Sequence, residues 1–319
     1  FKNACSAVME KPEGDESVSS FQALMVSTAS RVGTGNIVGV SSAICIGGVG
    51  SVFWMWIIAI LGSASALAES TLAQIYKKKG KDGQCYGGPA YYIEAALHSR
   101  GLAVVFCIAM ILTYAFGFNM LASYNLQSTF SGQPFYNAEI TPWIIGGILA
   151  LVTGWCLLGG GNRIVKVTST LVPFMGIVYI LISLLVVVLN IGQLPSVLAQ
   201  IFEEAFDFKA IFAGFAGSAM MQGIRRGLYS NEAGIGSAPN ASASAQVSHP
   251  IKQGLVQMLS VFIDTLLLCT ATAMMCLSSG IAPAQELQGA PWVQAALHES
   301  LGNFGPLFIT CLLYTSDAA

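Results

Sequence analysis

The stretch STASRVGTGNIVGV, residues 27–40, decides how the chain is read. It lies inside the first long apolar run, yet it carries a charged Arg31, glycines at 33, 35 and 39, and the polar residues Thr34 and Asn36. A helix in hydrocarbon must satisfy its own backbone hydrogen bonds, and irregular backbone survives there only where protein or a water-filled cavity receives the freed groups. Glycines at 33 and 35 lower the cost of leaving helical geometry. The sequence therefore predicts a span interrupted near its middle, with N–H groups free at the start of one half-helix and carbonyls at the end of the other. Such a break can receive a carboxylate on one side and a cation on the other, and Thr34 and Asn36 add side-chain oxygens. Gly35-x-x-x-Gly39 is equally the small-residue pattern by which intact membrane helices pack, so the glycines alone leave both readings open. Arg31 weighs against plain packing. An ionised group within a span costs about 2.5–3.5 kcal/mol on the gentler insertion scale and faces a polar pathway or partner, unless it snorkels to the inner surface.

Composition fits a membrane setting. Of 319 residues, 9% are charged and 54% hydrophobic, against about 25% charged in soluble domains, and the mean hydropathy is +0.67. Apolar segments fall at 21–48, 52–75, 102–130, 142–160, 164–190, 210–224 and 254–279, with an unfinished one from 304. Between the second and third, GQCYGGPAYYIEAALHSRG (83–101) reads as a surface or re-entrant helix, and Pro173 is expected to kink the fifth span. If residues 1–20 are cytoplasmic, the inside loops hold Lys2, Lys11, Lys77, Lys78, Lys79, Lys81, Arg100, Arg163, Lys166, Arg225, Arg226 and Lys252, leaving Lys209 outside and Arg31 in the membrane. That asymmetry selects a cytoplasmic start over its mirror image.

The same topology makes the first and sixth spans run oppositely. The sixth is again weakened by glycine, at Gly214, Gly217 and Gly223. Two weakened helices in matching places of two oppositely oriented sets of five point to an all-α, polytopic inverted-repeat transporter with its site near the midplane. In that organisation residues 1–20 are a cytoplasmic segment, 21–190 the first five-span repeat and 191–314 the start of the inverted second. The chain opens on Phe1 and its last apolar run is short, so it reads as a fragment, with 315–319 a non-native or truncated tail.

Other polar groups sit in or near spans. Asp264, in FIDTLLLCTATA, pairs with Arg31, binds a cation, or hydrogen-bonds to Thr265 and its neighbours as a lock between helices. Glu69, near the inner end of the second span, and Glu232, in RRGLYSNEAGIGSAPNASA, are candidate gate residues for Arg225 or Arg226, with a solvated carboxylate as the plainer reading. The net charge of −2 and the missing basic stripe exclude nucleic acid as a partner. No nucleophile–base pair, phosphate-binding lysine motif or metal-ligand spacing appears, which disfavours an enzyme and any resident cofactor.

FQALMVSTASRVGTGNIVGVSSAICIGGVGSVFWMWIIAILGSASALAESTLAQIYK, YGGPAYYIE, IRRGLYSNEAGIGSAPNASA and FIDTLLLCTATA together resemble the alanine or glycine:cation symporter family, over about residues 17–314. The resemblance implies a LeuT-like five-plus-five fold in the plasma membrane, the inner membrane of the cell, that couples alanine or glycine import to sodium. By position it implies that the Thr34 and Gly35 N–H groups hold the substrate carboxylate with Asn36 nearby, and that the carbonyls of Ala29 and Val32 hold one sodium. A carbonyl at Arg31 would belong to a second sodium site, which its cationic side chain disfavours. Gly214, Phe215 and Gly217 would line the opposite wall, and Asn119 the third span's contribution, where Ala122 and Tyr124 depart from the family pattern and Asn125 and Gln127 are the available substitutes. A proton-coupled amino-acid transporter is the nearest alternative, and a channel the next.

Overall fold

The computed structural model describes residues 2–10, 18–29, 31, 33–80, 85–131, 136–207 and 218–318, and at 161, 162 and 314–318 the backbone alone. After α1 (Lys2–Val8), the first apolar run divides into α2 (Ser20–Ala29) and α3 (Gly35–Gly47). Then come α4 (Ser51–Ile75), a two-residue hairpin pairing Lys78 with Tyr86 and Lys79 with Cys85, and α5 (Pro89–Leu97) within the segment expected to lie at the surface. The long α6 (Arg100–Ser128), α7 (Thr141–Leu158) and α8 (Gly160–Leu189) follow, and α8 is helical through Pro173. The later helices are α9 (Leu194–Ala205), α10 (Ala219–Asn231), α11 (Ser237–Ser244), α12 (Pro250–Ser278), α13 (Ala290–Leu301) and α14 (Phe304–Ala318).

Among the described residues, five helices are long and apolar enough to cross a membrane: α4, α6, α7, α12 and, from Arg163, α8. Their burial differs in a way that places the centre. In its most apolar window α12 is 67% buried, whereas α6 is 6% buried and presents Val105, Ile108, Ile111, Phe116 and Met120 outward. So α12 is the axis, packed on α4, α2, α3 and α8, and α6 stands at the rim. Ile37, Ile44, Met55, Met275 and Trp292 fill the core between them.

Two segments between the apolar runs are structured. Residues 191–208 contain α9, and 281–303 contain α13, whose Trp292 is fully buried with its Nε1–H donating to Ile281 O at 3.2 Å. Both helices are too short to register as spans, which is why hydropathy passes over them. α9 is tied across the turn that joins α3 to α4. Glu204 Oε2 accepts from Val49 N–H (2.7 Å) and Gly50 N–H (3.4 Å), placing a carboxylate at the N-terminus of α4 where the helix dipole favours it.

The candidate ion and substrate site

The first apolar run is broken, and the break includes Gly33, the first of its glycines. α2 ends at Ala29; Arg31 N–H closes back on Thr28 O (3.0 Å), and Gly33 stands at φ 147°, a conformation that side-chain-bearing residues rarely adopt. The helix resumes with Ile37 N–H on Gly33 O (3.1 Å). Thr34, Gly35 and Asn36 thus form the opening turn of the second half-helix, where N–H groups have no acceptor within the helix. Residues 35–39 are wound as a π-helix, and so are residues 262–269 of α12, which touch them. Such wide turns expose backbone and side chains that a regular helix would cover, and they gather at functional sites.

Asn36 and Asp264 meet across these two turns. Asn36 is 1% exposed; its Nδ2 donates to Asp264 Oδ1 (2.8 Å) and to the Asp264 backbone oxygen (3.1 Å), while its Oδ1 accepts from Gly33 N–H (3.2 Å). Ser230 of α10 donates to Asp264 Oδ2 at 2.9 Å, and Thr265 Oγ1 donates to the same oxygen at 3.0 Å. A Cβ built on Gly35 would lie 3.1 Å from Ser230 Cα, so the missing side chain at 35 is what lets α3 reach α10.

The Asp264 carboxylate is fully buried, and its side-chain donors here are neutral. The one ion pair between described residues is Lys252–Glu10, at 2.6 Å. Taking a carboxylate out of water without a partner of opposite charge costs several kcal/mol, even with hydrogen bonds. The oxygens of Asp264, Ser230 and Thr265 suit a hard monovalent cation or a proton. No group of three or more His, Cys, Asp or Glu among the described residues could hold a metal of the transition series.

Arg31 does not reach Asp264 by a salt bridge. It is 2% exposed, donates from Nη1 to Ser260 Oγ (2.6 Å), and has no hydrogen-bond partner for Nε or Nη2 among the described residues. Glu69 Oε1 accepts from Gly234 N–H (3.2 Å). Glu232, at φ 51° just beyond α10, accepts on Oε2 from Tyr114 (3.0 Å) and Ser237. Arg225 is exposed and Arg226 half-buried, both within α10 rather than in a loop, and neither pairs with a described acid. The expected gate pairs of Glu69 and Glu232 with these two arginines therefore do not form. Asn119 lies on the exposed side of α6, its amide donating to Ala115 O (3.1 Å), and is not brought to the break. Ala29 closes α2, whereas Val32, Gly214, Phe215 and Gly217 lie outside the described residues.

Apolar helices around an interrupted one, with a buried carboxylate at the interruption, define a polytopic membrane protein of transporter type. The chain belongs to the sodium:alanine symporter family, whose model matches residues 1–316. It is 44% identical over 308 residues to the amino-acid carrier protein AlsT of Bacillus subtilis, covering 96% of this chain and 64% of that one. It is 38% identical over 304 residues to the sodium/alanine symporter AgcS of Methanococcus maripaludis, covering 94% and 66%. The chain thus spans about two thirds of the length of these relatives. Its family consists of transporters, not enzymes.

Proposed function

We propose that this chain carries the ion and substrate site of a secondary active symporter that imports alanine or glycine with sodium by alternating access. The Asn36–Asp264 link across the break carries the reading, because it joins a buried carboxylate, without a salt bridge to any described residue, to the open turn of a half-helix. Sodium at Asp264, with the carbonyls of Ala29 and Val32, neutralises that charge and draws the two wide turns together. The Thr34 and Gly35 N–H groups then receive the amino-acid carboxylate, helped by the positive end of α3. Gly214, Phe215 and Gly217 close the opposite wall. Each ligand favours the state in which it makes more contacts, so the pair together shifts the population toward the state that opens inward.

The same reading places residues 21–190 in the first repeat of a LeuT-like five-plus-five fold, residues 191–314 in the second, and residues 1–20 in the cytoplasm under the plasma membrane. The test is labelled-alanine uptake by the full-length protein in vesicles at fixed pH, with sodium replaced by potassium or choline. Accumulation should vanish without sodium. Undiminished uptake would assign coupling to a proton on Asp264, whose carboxylate and neutral donors accommodate one equally.

A further inference from the structure

Below the break, α2 and α12 meet along a polar seam. Gln253 Nε2 donates to Ser20 Oγ (3.0 Å), Ser27 Oγ donates to Gln257 Oε1 (2.7 Å), and Arg31 Nη1 donates to Ser260 Oγ (2.6 Å). Positions 253, 257 and 260 recur at spacings of four and three, so they share one face of α12, and one turn further that face reaches Asp264. Gln253, Gln257 and Ser260 are fully buried and Arg31 nearly so. Even so, Gln253 Oε1, Gln257 Nε2, Arg31 Nε and Arg31 Nη2 have no hydrogen-bond partner among the described residues. Each orphaned buried group is a standing cost, and a charged one more so. An interface built to stay closed is apolar or fully satisfied, because a half-satisfied polar network is the worst of the choices. An interface that parts loses that cost on opening, when water reaches the same atoms.

We propose that this seam is the exit on the side of residues 1–20, and that on parting it Arg31 receives the carboxylate of the departing amino acid. The ligand's identity rests on the symporter reading above; the opening of the seam does not. The vacant Nε–Nη2 edge is the side of a guanidinium that grips a carboxylate with two parallel hydrogen bonds. Gln257 Nε2, on the same face of α12 one turn from Ser260, is a further donor without a partner among the described residues. The ligand group that complements this edge is a carboxylate.

The test uses the full-length transporter in vesicles. A Ser27→Cys/Gln257→Cys pair, once oxidised, should abolish sodium-driven alanine uptake, with reductant restoring it; full uptake through the cross-linked protein overturns the exit. With the eight native cysteines replaced, a lone Gln257→Cys should react with a membrane-impermeant thiol reagent from the side of residues 1–20, faster with sodium and alanine present. Absence of labelling in every condition overturns the exit even if the paired cysteines fail to join. Arg31→Lys, which keeps the charge and loses the fork, should slow alanine efflux from loaded vesicles at least tenfold, with equilibrium alanine affinity changed less than twofold. Efflux at the wild-type rate, or affinity falling in parallel with it, overturns the carboxylate station. Labelling of the Gln257→Cys variant, together with no amino-acid uptake by the wild-type protein, would refute the symporter reading and leave the seam standing.

Discussion

The Asn36 amide nitrogen donates across 2.8 Å to Oδ1 of Asp264, 228 positions further along the chain, while the oxygen of the same amide accepts from Gly33 N–H at 3.2 Å. One side chain thus fastens the broken turn to the central helix. Any ligand that changes the charge at Asp264 is felt at the break through a single intervening group.

Asn36→Ala removes these two bonds and the one to the Asp264 backbone oxygen, and leaves Asp264 Oδ1 and the Gly33 N–H without this partner. A lost hydrogen bond to a charged group costs about 1.5–3 kcal/mol and a neutral one about 1 kcal/mol. The variant should therefore unfold at a lower temperature in detergent, and Asn36→Asp lower still at neutral pH, because two buried carboxylates then face each other. Melting curves that superimpose on the wild type would show that the link carries no load.

Gly35→Val inserts a branched side chain where even a Cβ would sit 3.1 Å from Ser230 Cα. Overpacking of this kind costs about 1–3 kcal/mol, and here it pushes α3 away from α10 at the opening turn. The protein should still insert, as judged by a single symmetric peak on size exclusion, but equilibrium binding of labelled alanine should be lost. Retained affinity would return this glycine to a purely packing role.

Glu10 gives a pH-dependent tether. Its carboxylate accepts from Lys252 Nζ at 2.6 Å, and that hydrogen bond holds it below the usual carboxylate range against an opposing desolvation. A carboxyl depressed in the folded state contributes stability above its unfolded value and loses it as pH falls through the depressed one. The pair is partly exposed, so its contribution is at most about 1 kcal/mol. Backbone amides of α1 should exchange hydrogen faster, relative to the rest of the chain, at pH 3 than at pH 7, and Glu10→Gln should abolish that difference.

The break itself is legible in the sequence, because glycine, arginine and asparagine inside an apolar run contradict an ordinary span. Its partner is legible only in part. Asp264 stands out as a charge in a span, and the 253, 257, 260, 264 spacing marks a polar face of α12, yet nothing local says that this face meets Asn36 and Arg31. Ser230 was hidden more thoroughly. It falls in a glycine-rich, charged stretch that reads as a loop, and only packing on α4 and α3 makes it helical and buried. Glu69 and Glu232 were drawn by charge toward Arg225 and Arg226, but their acceptor oxygens are met instead by a backbone N–H and by hydroxyls, donors that leave no mark in a charge pattern.

The coupling of ion to amino acid is tested most directly by equilibrium binding of labelled alanine to the purified full-length protein, as sodium replaces choline at constant ionic strength and pH, in wild type and in Asp264→Asn. Wild-type affinity should rise at least tenfold across the titration, and the variant's should stay flat, since the neutral amide no longer calls for a cation. Equal sodium dependence in both proteins would contradict the assignment of the ion to Asp264.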